Sequence, residues 1–154
     1  SDDGPWPNGL QVPAVRATDA QRVVFGRDRT DVSVLAAVEA SSAVPGMFQP
    51  KWIDGHPYVD GGVRSSTNAD LLAGLDLAVI VAPMSRPGGR TIDRHARKAL
   101  RTELRILRER GTPTIVIEGD DRIVELSKGF PRRRPDAAEA LRSHARRVAE
   151  RALG

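Results

Sequence analysis

Ile53-Asp54-Gly55-His56-Pro57-Tyr58-Val59-Asp60-Gly61-Gly62 passes from a turn into a strand and stops on an aspartate backed by two glycines. Asp-Gly is a turn dipeptide, and the Tyr-Val pair favours extended backbone. Adjacent glycines admit backbone angles that residues with a Cβ avoid, so a sharp turn here leaves Asp60 projecting. A carboxylate held on such a turn is a candidate general base. The same ten residues also describe an ordinary surface turn, and their surroundings decide between the two.

Upstream, Leu10 to Ala17 and Arg22 to Phe25 read as short strands joined by a hairpin over Thr18-Asp19-Ala20-Gln21. A loop from Gly26 to Thr30 follows, and Asp31 is the expected cap of the next helix. That helix is predicted over Val32 to Ala43, with Val32, Leu35, Val38 and Ala43 as its apolar positions. Its last turn, Ala40-Ser41-Ser42-Ala43, is made of small residues, which points to close packing, and Pro45 stops it. Met47, Phe48 and Trp52 bridge from there to the opening stretch.

Downstream, Ser65 to Asn68 offers caps for a short helix over Ala69 to Ala73, ended by Gly74. Leu75 to Ala82 and Pro113 to Glu118 are nearly continuous apolar runs, as expected of strands buried on both faces. Ile92 to Arg110 between them is amphipathic, with Ala96, Ala99, Leu100, Leu104 and Leu107 on one face. Strand, helix and strand at this spacing make a βαβ unit. Asp120-Asp121 caps a short helix, Arg132-Arg133-Arg134 lies in a basic connector, and Asp136 to Leu153 reads as a last amphipathic helix.

The 154 residues suit a single domain spanning 1–154. With aromatics at only 4%, aliphatic residues and alanine must fill the core. The absence of cysteine excludes disulfides, thiolate metal sites and cysteine nucleophiles. A net charge of +4 would suit an anionic partner, but it equally describes solvated helix faces in an arginine-rich protein. No apolar run approaches the roughly 20 residues of a membrane span. The turn-rich leader Ser1 to Gly9 lacks the apolar centre of a signal peptide and does not read as a natural start. A cytoplasmic or peripheral membrane location is expected.

The segment Ala37-Val38-Glu39-Ala40-Ser41-Ser42-Ala43-Val44-Pro45-Gly46-Met47-Phe48-Gln49-Pro50, with Tyr58-Val59-Asp60-Gly61-Gly62 behind it, resembles the second half of the patatin-like phospholipases. The likeness runs from about Leu10 to Val81 and is only architectural past Pro83. It implies an α/β, three-layer α/β/α fold and a serine–aspartate dyad, with Asp60 activating a serine that attacks a lipid ester. Gly61, Gly62 and Asn68 would support the loop that carries the aspartate. No cofactor and no metal are implied. The expected partners are a lipid ester substrate and the surface of an anionic membrane, with no nucleic acid.

One departure shapes the expectation. No G-x-S-x-G elbow occurs in the chain, and Arg86-Pro87-Gly88-Gly89-Arg90 comes too late to be the family's oxyanion loop. The resulting reading is the C-terminal half of a bacterial patatin-like domain, incomplete at its N-terminus. The nucleophile-elbow half would be absent, and the isolated chain inactive. Two alternatives stand beside it, a non-catalytic binding or scaffold module and a basic α/β protein associated with nucleic acid. His56 would either orient Asp60 or sit in solvent, and Asp120-Asp121 reads as a helix cap rather than a metal site.

Overall fold

The computed structural model describes residues 5–86, 91–127 and 135–153. Arg132-Arg133-Arg134 and the Pro87–Arg90 part of the late glycine loop lie outside the described residues. The chain divides into two compact units, Ser1–Asn68 and Ala69–Gly154.

In the first unit, β1 (Val12–Arg16), β2 (Gln21–Phe25), β3 (Lys51–Ile53) and β4 (His56–Asp60) form one antiparallel sheet in the order β2-β1-β4-β3. β1 is therefore hydrogen-bonded on both sides. Asp54 and Gly55, with φ of 47° and 75°, make the two-residue hairpin between β3 and β4. Positive φ at both central residues matches the right-handed twist of the strands, which is why Asp-Gly is favoured there. The core gathers Val12, Ala14, Val23, Phe25, Ile53 and Tyr58, with Phe25 and Tyr58 edge to face at 5.3 Å. Trp6 closes one side and donates from Nε1 to the Val32 carbonyl at 2.7 Å.

α1 (Val34–Ser41) differs from its sequence reading in cap and face. Ser33, not Asp31, caps it, accepting from the Ala36 N–H at 3.1 Å. Asp31 instead pairs with Arg29, whose guanidinium holds the carboxyl below its ordinary range. The packed face is Ala37 and Ala40, both fully buried, while Leu35 and Val38 are 61% and 45% exposed. Alanines let the helix axis come close to β1 and β4, and a leucine on that face would hold it away.

In the second unit, β5 (Ala78–Ala82) and β6 (Thr114–Glu118) pair in parallel around the crossover helix α2 (Thr91–Glu109). Ala78, Ile80 and Ala82 pack with Leu100 and Leu107 beneath the sheet. Val79 and Val81 are 47% and 65% exposed, so β5 is buried on one face rather than two. The segment after Asn68 is a 3-10 turn, Ala69–Leu72, and Glu103 on α2 accepts from its Ala69 N–H at 3.0 Å. The expectation of one three-layer α/β/α sheet is thus corrected. The antiparallel sheet is built from two short hairpins, and all four of its strands lie before the long crossover begins.

α3 (Asp121–Ser127) begins at the Asp120 carboxylate, which accepts from the Ile123 N–H at 2.8 Å. Its other oxygen meets His144 Nε2 at 2.7 Å, tying α4 (Pro135–Leu153) to the α3 cap. The Ile123 N–H, and then His144, hold the Asp120 carboxyl below its ordinary value. A depressed carboxylate contributes stability that is fully present above its unfolded pKa, near 4, and is lost as pH falls through the folded value. Urea unfolding of the wild type should therefore lose stability below about pH 4, and Asp120→Ala should flatten that acid limb. Parallel acid limbs for the two proteins would refute the assignment.

Candidate active site

The Asp-Gly-Gly motif sits where β4 ends. Asp60 closes the strand opposite Ala14 of β1 and caps the 3-10 turn Gly61–Val63, its Oδ1 accepting from the Gly62 N–H at 2.6 Å. Its Oδ2 has no hydrogen-bond partner among the described residues. One oxygen is pinned and the other is open, in a side chain that is half-buried. A cap alone needs an acceptor, and a base needs in addition an oxygen with nothing yet bonded to it.

The glycines serve a purpose other than unusual backbone angles, since neither Gly61 nor Gly62 has a positive φ. Their service is space. A Cβ on Gly61 would lie 2.3 Å from the Pro13 carbonyl oxygen, and one on Gly62 would lie 2.8 Å from Asp60 Oδ1. The first glycine lets the turn sit against β1, and the second leaves room for the carboxylate.

Two stretches far apart in sequence meet here. The Asp60 N–H donates to the Ala43 carbonyl at 3.0 Å, so the small-residue end of α1 is hydrogen-bonded to the residue that carries the carboxylate. Ser41 Oγ donates to the Pro13 carbonyl at 2.8 Å, the same oxygen that Gly61 approaches. Asn68, buried and left-handed at φ 47°, donates from Nδ2 to the Ser65 carbonyl at 2.6 Å and to the Gly61 carbonyl at 3.4 Å. Arg22 of β2 in turn donates to Asn68 Oδ1 at 3.1 Å. The Arg22 and Ser41 contacts were not read from the sequence. Arg22 is 46 positions from its partner and Ser41 is 28 from its own, and neither bond leaves a local pattern.

His56 begins β4 and is exposed. Four residues of strand separate it from Asp60 by about 13 Å, which takes it out of reach of the carboxylate. Beside Asp60 in sequence, Val59 joins Pro45, Met47, Phe48 and Pro50 in lining a groove of about 450 Å³. Met47, Phe48 and the nearby Trp52 are 73%, 61% and 64% exposed. Among the described residues no three His, Cys, Asp or Glu side chains group to hold a metal ion. No described helix is long and apolar enough to cross a membrane.

A carboxylate thus stands at a strand end, with one oxygen open and an apolar groove beside Val59. Comparison with known families gives a match to the Patatin family, patatin-like phospholipase, over residues 4–73. No curated protein matches the chain significantly. The matched segment contains the end of α1, β4 and the Asp-Gly-Gly turn, and it is similar to that family.

The match corrects the expectation drawn from the resemblance. It occupies the N-terminal half of the chain and stops at residue 73, so residues 1–154 are not the C-terminal half of a patatin-like domain. It gives no ground for an absent nucleophile-elbow half, for a partner supplying the serine, or for a chain that brings only the aspartate. The expected inactivity of the isolated chain rested on that absence and falls with it. Serines do occur within the match. Ser33 caps α1, Ser41 binds Pro13, Ser65 accepts from the Thr67 and Asn68 N–H groups, and Ser42 and Ser66 are exposed.

Proposed function

We propose that the chain provides the base of a patatin-type hydrolase that cleaves carboxylic esters of lipids, and that Asp60 is that base. A serine hydroxyl attacks the ester carbonyl while its proton passes to Asp60 Oδ2. The tetrahedral intermediate collapses, and Asp60 returns the proton to the departing alcohol. Water then attacks the acyl-serine with its proton going to Asp60, and release of the fatty acid restores the serine hydroxyl. A serine is a poor nucleophile without a base in hydrogen-bond reach, and a carboxylate bonded to it directly needs no histidine.

The observation that carries this reading is the Asp60 carboxylate, with Oδ1 fixed by the Gly62 N–H and Oδ2 open. The family match over the same residues supports the substrate class, and the groove along Met47 and Phe48 suits an acyl chain. Gly61, Gly62 and Asn68 support the loop. Neither a cofactor nor a metal enters the steps, and the lipid ester is the only partner they require.

A fluorophosphonate reagent tests the reading on the full-length protein, because it phosphonylates only an activated serine. We expect labelling of one serine, blocked by prior incubation with a lipid ester, and mass mapping of the labelled peptide names the nucleophile. A protein that neither labels nor turns over esters would overturn the assignment.

A further inference from the structure

One concavity on the second unit has no part in the chemistry above. It is a groove of about 560 Å³ along α2, lined by Arg86, Arg94, Arg97, Lys98, Arg101 and Arg105. Thr102 completes the described lining, which contains no carboxylate. Arg94, Lys98, Arg101 and Arg105 recur at steps of four, three and four residues, so they form one stripe along the helix. The stripe spans roughly 16 Å.

Ion pairing leaves part of this charge unbalanced. Arg86 is held by Asp93 at 3.5 Å and by Asp121, and Arg97 by Glu118 at 3.5 Å. Lys98, Arg101 and Arg105 have no ion pair or side-chain hydrogen bond among the described residues. Arg86 Nε is buried with no acceptor, an unmet donor in the groove wall. Like charges four apart on a helix repel, and both Arg94 with Lys98 and Arg101 with Arg105 are such pairs. Like-charge repulsion along this stripe is a local cost to helix α2, and an anion in the groove would reduce it.

We infer that this groove binds phosphate groups two or more at a time, carried by one compact anion or presented side by side on a lipid surface. Guanidinium forks match phosphate oxygens in pairs and stay charged at any physiological pH, and a stripe of this length admits more than one phosphate. Thr102 Oγ1 donates to the Lys98 carbonyl at 3.2 Å, so recognition rests on the charged groups. No Phe, Tyr or Trp occurs between Arg86 and Arg110 on which a nucleobase could stack, which favours a phosphorylated small molecule or headgroup over nucleic acid. The inference is independent of the reading of Asp60.

The test uses inorganic tripolyphosphate and, in a second arm, phosphatidylcholine vesicles with and without phosphatidic acid. Calorimetry should show one tripolyphosphate bound per chain. The combined variant Lys98→Gln, Arg101→Gln, Arg105→Gln should weaken it by about tenfold or more. Arg142→Gln, Arg146→Gln, Arg147→Gln on α4 removes the same charge elsewhere and should leave binding intact. Vesicle binding that requires phosphatidic acid and is displaced by tripolyphosphate identifies a lipid headgroup as the source. Tripolyphosphate binding without vesicle binding identifies a soluble anion. Equal weakening by the two triple variants, binding of neither probe, or retention on duplex DNA that tripolyphosphate cannot displace would overturn the inference.

Discussion

Asp60→Asn should reduce ester turnover by about a thousandfold while leaving the fold intact, the middle of the range for loss of a general base. The substitution separates the two services of this side chain. As a cap, Asp60 accepts from the Gly62 N–H through Oδ1, and an asparagine carbonyl oxygen can do the same. As a base, it must take a proton on the other oxygen, and the asparagine amide offers an N–H group there instead. The wild type and variant should therefore have matching melting temperatures and circular dichroism. Their kcat values on a short-chain p-nitrophenyl ester should differ by about 4 kcal/mol of barrier. KM should change little, because the groove beside Val59 that would hold the acyl chain is untouched. Near-wild-type turnover by a folded Asp60→Asn protein would show that the carboxylate is only a cap.

How far these features could be read from sequence follows from how local their causes are. The Asp54-Gly55 turn was legible because its backbone angles are set by two adjacent residues. The crossover β5-α2-β6 was legible because Leu100, Leu104 and Leu107 repeat at helical spacing between two aliphatic runs. The packed face of α1 was not. Hydrophobicity favours Leu35 and Val38, whereas a close helix–sheet approach favours Ala37 and Ala40, and sterics prevailed. The exposure of Val79 and Val81 was equally hidden, because an apolar run is the same string whether one face or two is covered. At the site, Asp60 stood out by its motif, but the reason for Gly61 did not, since it lies in the Pro13 carbonyl of a strand nearly fifty residues earlier. The resemblance fell on a stretch that overlaps the family match and then carried too far, to a whole domain with one half absent.

Gly61→Ala should destabilise the protein by about 3 kcal/mol, at the upper end for overpacking, and lower its melting temperature by roughly 10 °C. The cause is steric, because the φ of Gly61 is one that alanine accepts. An added Cβ would stand 2.3 Å from the Pro13 carbonyl oxygen and 3.0 Å from its carbon, so a backbone must move. That backbone belongs to β1, which is paired to β2 on one side and β4 on the other, so a shift on either side breaks a ladder. The same oxygen accepts from Ser41 Oγ, and displacing it would also loosen the end of α1. Gly62→Ala is the contrasting case. There the crowded atom, 2.8 Å away, is Asp60 Oδ1, the end of a side chain that can rotate aside. It should cost about 1 kcal/mol or less, yet reduce turnover severely by swinging the carboxylate out of place. Adjacent glycines would then fail in opposite ways, one through stability and the other through activity. If Gly61→Ala melts with the wild type, the close approach of the turn to β1 is wrong, and with it the account of how Asp60 is held.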